Sequence, residues 1–151
     1  MVAPSALHIA QTIAPHLEGL DWAIGGSVLL HHLGIEAEPA DLDIVVSAAH
    51  FAAAENKLAS LFGAGLQPRH DNYQSEHFSR FIAADGTQID IMAGITVLKG
   101  NELVSWTFEP KHTVKEDGLP WMRAQDWLLL YTLFNRPARV AQLQPYITRR
   151  L

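Results

Sequence analysis

Two short groups of residues in the first third of the chain have the types and spacing for phosphate and metal chemistry. The first is Gly25-Gly26-Ser27, which follows the apolar residues Trp22–Ile24. Glycines let the backbone turn sharply and approach a ligand closely, and the free N–H groups at the start of a helix attract phosphate. The hydroxyl of Ser27 could cap that helix or bond a phosphate oxygen. The segment therefore predicts a phosphate-binding turn between a strand and a helix.

The second group is an acidic pair, Asp41 and Asp43, which opens the β-branched run Ile44-Val45-Val46. Side chains alternate between the faces of a strand, so the two acids project from one face roughly 6–7 Å apart. Mg²⁺ prefers carboxylates together with phosphate oxygens, and two such ions can bracket the attacking and leaving groups of an in-line displacement. The pair predicts a cation site. The alternative is an ordinary turn at the start of a strand, because aspartate after Pro39-Ala40 is common in loops.

Taken together, Gly25-Gly26-Ser27, a gap of thirteen residues and then Asp41-Leu42-Asp43 resemble the signature of the DNA polymerase beta-type nucleotidyltransferase superfamily. The short chain is most similar to the minimal nucleotidyltransferases, which include antibiotic-modifying enzymes and toxins of abortive-infection systems. The resemblance implies an α/β (α+β) nucleotidyltransferase fold, with a mixed β-sheet flanked by helices. It also implies transfer of a nucleoside monophosphate from an NTP such as ATP to a hydroxyl acceptor on a small molecule, an RNA or a protein.

The resemblance implies a role for each of these residues. Gly25, Gly26 and Ser27 would bind the nucleotide. Asp41 and Asp43 would hold Mg²⁺, for which Mn²⁺ could substitute, and two ions are expected. The superfamily pattern calls for a third carboxylate on a neighbouring strand, which Asp90 would supply as a metal ligand and catalytic group.

Asp90 lies in the apolar run Ile89–Met92, where a carboxylate would be costly to bury without a partner. A metal or a charged ligand would relieve that cost. The alternative is a solvent-facing residue on a half-exposed strand. If no basic residue lies near Asp41, Asp43 and Asp90, crowding is expected to protonate one of the three in the absence of metal.

Positions near the C-terminus depart from the pattern of the abortive-infection relatives. Those relatives usually carry a lysine where Tyr131 stands and acids near Arg139 and Gln142, and often an arginine or threonine where this chain has Glu38-Pro39-Ala40. The missing lysine favours a second hypothesis, a catalytically silent nucleotidyltransferase-fold module that binds a nucleotide or a partner protein. The three retained acids favour an enzyme.

Composition limits the classes of protein that fit. A length of 151 residues, 48% of them hydrophobic and 18% charged, suits one compact domain. The formal charge of −5 argues against broad nucleic-acid binding, although a local patch could still hold an RNA acceptor. Cysteine is absent, which excludes disulfides and thiolate metal sites. No apolar run of membrane-spanning length occurs, so we expect a cytoplasmic protein with no membrane partner. As a protein partner, the resemblance allows an antitoxin or a second copy of the chain.

Periodicity and turn signals predict the elements that position these residues. The predicted order begins with a helix Pro4–Leu17, a strand Trp22–Ile24, a helix Ser27–Leu33 and a strand Asp41–Val46. A helix capped by Ser47 then runs to Phe62 and is expected to bury a stripe that includes Leu61. A strand Leu66–Arg69 and a polar loop at 71–73 follow. Asp85-Gly86 predicts an antiparallel hairpin between Phe78–Ala84 and Thr87–Met92. Asp85 itself is explained by that turn, whereas Asp90 falls in the middle of the second strand.

The last third of the chain is predicted to be mainly helical. Gly118-Leu119-Pro120 is expected to break the chain before a helix at Ala124–Phe134 and a second one towards Ile147. Trp121 and Trp127 are expected to anchor this helical pair. For the adjacent His31 and His32, packing or solvation is favoured over a shared metal. The whole chain is predicted to be one domain, with a core at about 20–110 and C-terminal helices at about 120–149.

Overall fold

The computed structural model describes residues 5–35, 39–66 and 77–150. The α-helices in these ranges are α1 (Ser5–Ile13), α2 (Gly26–His32), α3 (Phe51–Phe62), α4 (Ala124–Leu133) and α5 (Pro137–Thr148). The strands are β1 (Trp22–Gly25), β2 (Leu42–Val46), β3 (His77–Ile82), β4 (Gln88–Ala93), β5 (Ile95–Lys99), β6 (Glu102–Trp106), β7 (Thr113–Glu116) and β8 (Leu119–Met122).

Six of these strands form one mixed sheet in the order β3-β4-β2-β1-β8-β7. At its centre, β2 pairs antiparallel with β1 and parallel with β4. β3 pairs antiparallel with β4 across the turn at Asp85-Gly86, as predicted, and β5 and β6 form a separate antiparallel pair. The predicted α/β class with a mixed sheet and a C-terminal helical pair is confirmed.

The central strands are buried along their length rather than at alternate positions. In β2, Leu42 and Ile44–Val46 are all inaccessible to solvent. α1, which buries Ala6, Ile9, Ala10 and Ile13 along one side, contacts β2, while α3 contacts β3 and β4. Strands covered on both faces are expected to be continuously apolar. Each of these two strands, β2 and β4, contains one charged residue, Asp43 and Asp90 respectively. At these two positions the sheet carries a carboxylate instead of an apolar core side chain.

α3 ends at Phe62 as predicted, but its start and part of its buried stripe differ from the sequence prediction. A short 3₁₀ turn at Ala48–His50 precedes the helix, and Ser47 makes no side-chain capping bond there. Its buried Oγ has no hydrogen-bond partner among the described residues. The buried stripe of α3 (Phe51, Ala54 and Leu58) continues at Phe62, which packs against the core, and not at Leu61, which is 39% exposed. Phe62 lies four residues after Leu58, the helical spacing that returns a side chain to the same face.

The segment before α4 is a hairpin, and the prediction of a simple chain break at Gly118-Leu119-Pro120 is wrong. β7 and β8 pair antiparallel around Asp117-Gly118, and β8 also pairs parallel with β1. Asp117 and Gly118 have φ values of 52° and 76°, and a type I′ hairpin turn needs positive φ at both of its central positions. The hairpin signal in the sequence is an Asp-Gly dipeptide, as at Asp85-Gly86. It was not recognised because Pro120 follows it, and proline is usually excluded from central strands.

The predicted strand Leu66–Arg69 and the loop at 71–73 lie outside the described residues except for Leu66. That residue forms an isolated bridge with Arg80, through backbone N–O distances of 2.8 and 2.7 Å. Among the described helices, none is long and apolar enough to cross a membrane.

Candidate active site

The predicted site residues share one row that runs across four strands. The strand register places Gly25 opposite Asp43, Asp43 opposite Asp90, and Asp90 opposite Arg80. Residues directly opposite each other in a sheet project their side chains from the same face. The two acids predicted from distant parts of the sequence, Asp43 and Asp90, are therefore neighbours on adjacent parallel strands.

Asp41 lies at a bend immediately before β2, two residues from Asp43, and its charge contributes to raising the pKa of Asp43. Its backbone carbonyl accepts a hydrogen bond from Oγ of Ser27 at 3.3 Å. Its Oδ2 accepts another from Nε2 of Gln88, also at 3.3 Å. The acidic segment is thus attached both to the start of α2 and to β4.

Gly25 and Gly26 are required by close contacts with other side chains of the protein. A Cβ on Gly25 would lie 2.5 Å from Cε3 of Trp127 in α4, far inside van der Waals contact. A Cβ on Gly26 would overlap Oδ2 of Asp43 and lie 2.9 Å from its Cγ, and Gly26 also has a φ of 62°. The glycine turn brings the backbone close to the acidic residue at its side.

Ser27 is 8% exposed and does not cap α2, because no side-chain capping bond is present at that helix start. Its hydroxyl instead joins the glycine turn to the acidic segment through the carbonyl of Asp41. The structure therefore brings Gly25, Gly26, Ser27, Asp41, Asp43 and Asp90 together around one end of β2.

Asp43 has the most perturbed carboxylate of the site. Burial, followed by the nearby carboxylates of Asp90 and Asp41, raises the pKa of Asp43 from 3.8 to about 7. The positive charges of Arg136 and Arg80 act in the opposite direction and only partly compensate. A carboxylate that is both desolvated and surrounded by like charges loses the stability of its ionised form. A cation bound beside Asp43 would restore it.

Asp90 has a basic partner, Arg80. Protonation of one of the three acids was expected only if no basic residue lay near them, and that condition is not met. Nε of Arg80 donates to Oδ1 of Asp90 at 2.7 Å, and its NH2 donates to Oδ2 at 3.1 Å. The hydrogen bond to Asp90 is the main cause that raises the pKa of Arg80 above its ordinary value. Asp90 is 8% exposed, so the guanidinium supplies the compensation that a buried carboxylate needs. The solvent-facing alternative for Asp90 is wrong.

Arg80 was missed by the sequence analysis because the predicted hairpin turn gives a different register. Counting outward from a two-residue turn at Asp85-Gly86 pairs Phe81 with Asp90. In the structure the backbone N–H of Ala83 donates to the carbonyl of Thr87 at 2.9 Å, and this longer loop pairs Arg80 with Asp90 instead. Opposite charges at directly opposed positions stabilise a strand pair. The acid–base pair at this site therefore depends on a shift of one residue in the register.

The C-terminal helices supply the other wall of the site. Trp127, in α4, packs against Gly25 and forms an edge-on contact with Tyr131 at a centroid distance of 5.7 Å. Burial is the main cause that raises the pKa of Tyr131, and the charge of Asp43 contributes in the same direction. The position at which relatives carry a lysine is thus close to the acidic residues. This packing agrees with the expectation that Trp127 anchors the C-terminal helices. Trp121, for which the same was expected, lies in β8, and its ring stacks on that of His32 with a centroid distance of 3.9 Å.

The donor atoms of these residues determine which of them could hold a metal ion. Within residues 5–35, 39–66 and 77–150, no group of three His, Cys, Asp or Glu side chains is arranged to hold a metal ion. Asp41 and Asp43 offer the carboxylate donors that Mg²⁺ prefers, and like charge crowds Asp43. Both oxygens of Asp90 already accept hydrogen bonds from Arg80. The donor set of Asp41 and Asp43 therefore fits a divalent ion, which would bind together with substrate oxygens.

This combination of a mixed sheet, a glycine turn and acids on neighbouring strands is the architecture of the nucleotidyltransferase fold, and comparison with solved structures confirms that fold. The chain is similar to a candidate nucleotidyltransferase, TM1012, from Thermotoga maritima, with a TM-score of 0.71, 21% identity, and coverage of 99% of this chain and 96% of the other. It is also similar to the lincosamide antibiotic adenylyltransferase LnuA in its lincomycin-bound form, with a TM-score of 0.56, 15% identity and 85% coverage of both chains. No protein-family model matches the sequence, and no curated protein matches it significantly.

Proposed function

We propose that this protein is a metal-dependent nucleotidyltransferase that moves a nucleoside monophosphate from an NTP to a hydroxyl acceptor. The observation that carries the proposal is the parallel register of β2 and β4, which sets Asp43 beside Asp90 next to the glycine turn. A core strand pair has no structural need for two adjacent acids, and their mutual repulsion opposes folding. Such an arrangement is explained by a cationic ligand bound at this place.

Asp41 and Asp43 are proposed to hold Mg²⁺, for which Mn²⁺ could substitute. Bound there, the ion would neutralise charge on the phosphates. Gly25, Gly26 and Ser27 are proposed to lie along the triphosphate. Arg136, at the start of α5, is close enough to lower the pKa of Asp43 and is proposed to be a cation available to the polyphosphate where relatives use a lysine. Catalysis would consist mainly of positioning and charge neutralisation.

In the proposed reaction, the acceptor hydroxyl oxygen attacks the α-phosphorus of the NTP. The new O–P bond forms as the bond from that phosphorus to the bridging oxygen breaks, and pyrophosphate leaves with the bonding electrons. Asp90 accepts the hydrogen bond of the acceptor hydroxyl and receives its proton. Its position opposite Asp43 on the adjacent strand supports this role, because an acceptor bound to Asp90 would lie near a phosphate bound at the glycine turn.

Labelled transfer tests this proposal directly. The protein would be incubated with each α-³²P NTP and Mg²⁺ or Mn²⁺, with and without cell extract, and the products separated into small molecules, RNA and protein. We expect transfer with at least one NTP. Transfer should be lost in Asp43→Ala, which removes a ligand but opens no core cavity. Wild-type turnover in Asp43→Ala would remove this residue from the site and contradict the proposal.

The silent-module hypothesis keeps one specific support, which is that Arg80 occupies both oxygens of Asp90. Such a module would bind an NTP without transferring it. Nucleotide-dependent thermal stabilisation, combined with no label transfer under any of these conditions, would favour this second function.

A further inference from the structure

We propose that Arg80 takes the place of a second metal ion, so that the site holds a single divalent ion on Asp41 and Asp43 while a guanidinium holds Asp90. This inference rests on the proposed function. It assigns Arg80 as a positioning residue that orients Asp90 towards the acceptor hydroxyl.

The contact between Arg80 and Asp90 is built into the sheet. The two residues are directly opposed on β3 and β4, and two hydrogen bonds of 2.7 and 3.1 Å join them. The side chain of Asp90 is only 11% exposed and that of Arg80 is 30% exposed. Guanidinium remains charged at any ordinary pH, and its planar fork matches a carboxylate at both oxygens. A metal ion on Asp90 would have to compete with this forked, partly buried ion pair.

The remaining carboxylates are held much less tightly. The Oδ2 atom of Asp41 accepts from a neutral amide of Gln88 at 3.3 Å, which is long for a hydrogen bond. Asp43 lies opposite Asp90 on the adjacent strand and against the backbone of Gly26, with its carboxylate at the glycine turn. Hydrogen bonds to a carboxylate are all charge-assisted, but Asp90 has two of them from a positively charged guanidinium, whereas Asp41 has a single long one from a neutral amide. A divalent ion therefore finds its accessible ligands at Asp41 and Asp43 and not at Asp90.

A second Arg–Asp pair in the same chain gives a matched control. Nε of Arg123 donates to Oδ2 of Asp126 at 2.6 Å, and its NH2 donates to Oδ1 at 3.2 Å. The exposed fractions of these side chains, 35% and 12%, are close to those of Arg80 and Asp90. Arg123→Gln thus removes a fork of the same geometry and burial from a position outside the row of site residues.

The test is a count of bound Mn²⁺ per chain, measured from the electron paramagnetic resonance signal of free Mn²⁺ during a titration with the metal alone. We expect one ion per chain in the wild type and in Arg123→Gln, and two in Arg80→Gln, where Asp90 becomes available beside Asp43. Asp90→Asn should still bind one ion, because Asp90 is not a ligand. This variant keeps the test decisive if Arg80→Gln does not fold.

Two bound ions in the wild type, one ion in folded Arg80→Gln, or none in Asp90→Asn would each overturn the inference. If the wild type binds two ions and transfers label in an Asp43-dependent manner, the proposed function stands and only the role of Arg80 fails. If no variant binds Mn²⁺ and no label is transferred, both proposals fail together.

Discussion

Gly26 and Asp43 occupy adjoining space, because a Cβ on Gly26 would overlap Oδ2 of Asp43. The glycine turn and the acidic strand are separate in the sequence but in contact in the structure. Any side chain at position 26 would have to displace the carboxylate of Asp43. The contact holds a partly buried carboxylate against the backbone at the start of α2. The two halves of the sequence signature are thus parts of one packed structure.

Gly26→Ala should therefore reduce both stability and activity. The new methyl group must displace Asp43, and the φ of 62° is unfavourable for a residue with a Cβ. We expect a loss of about 2–4 kcal/mol in the free energy of unfolding, measured by urea denaturation, and loss of label transfer.

Gly34→Ala is the matched control for this change. Gly34 has a φ of 81°, and a Cβ there would meet no atom within 4 Å among the described residues other than its two chain neighbours. Its substitution should cost only the backbone strain of about 1 kcal/mol and leave transfer unchanged. Equal losses in the two variants would show that the contact with Asp43 contributes nothing.

Gly25→Ala tests the contact between the turn and α4. Gly25 has an ordinary extended φ of −124°, so its substitution introduces no backbone strain, only overlap with the ring of Trp127. We expect a loss of about 1–3 kcal/mol in stability. In a double-mutant cycle with Trp127→Leu, the two changes should couple by at least about 0.5 kcal/mol, because removing the ring relieves the overlap. Strict additivity would contradict this packing.

The pKa of Asp43 predicts how the stability of the metal-free protein changes with pH. The folded-state pKa of about 7 lies above the ordinary value of 3.8, so the folded protein binds the extra proton between these values. Its contribution to stability is therefore greatest below about pH 4 and is lost as the pH rises to about 7. In EDTA, Asp43→Asn should become more stable than the wild type over this range, by on the order of 4 kcal/mol at pH 8.

The measurement is the difference in unfolding free energy between Asp43→Asn and the wild type at several pH values. Titrating groups that do not interact with Asp43 cancel in that difference. A difference that does not change between pH 4 and pH 8 would mean that Asp43 is not desolvated in the folded protein.

Asp90→Asn should have the opposite effect on stability. The substitution breaks the forked ion pair with Arg80, whose side chain is partly exposed and can be resolvated. We expect the metal-free protein to lose about 1–2 kcal/mol in urea denaturation at pH 7. A variant as stable as the wild type would indicate that relief of repulsion from Asp43 offsets the lost pair.

Mg²⁺ and the correct NTP together should raise the melting temperature. A ligand at a hundredfold excess over its Kd stabilises the folded state by about 2.7 kcal/mol if it binds only that state. The gain should be absent in Asp43→Ala. Equal shifts in both proteins would locate the nucleotide elsewhere.

The sequence by itself determined the local chemistry of this protein. Gly25-Gly26-Ser27, the Asp41 and Asp43 pair and the Asp85-Gly86 hairpin were all identified from residue type and spacing, because a glycine turn, alternation along a strand and a hairpin dipeptide can each be recognised in a short stretch of sequence. The same reasoning put Asp90 in the middle of a strand. The prediction was wrong at β8 because proline is disfavoured in central strands. In the structure Pro120 lies in a strand that pairs with both β1 and β7, and this tertiary pairing outweighs the local preference of proline.

Only the tertiary structure decided which distant residues meet. Strand order places β2 between β1 and β4, and that order sets Asp43 against Gly26 on one side and Asp90 on the other. The packing of α4 explains Gly25 through Trp127, which no local pattern contains. The reason is physical: burial of the apolar strand residues selects the sheet order, and the positions of the charged side chains follow from that selection.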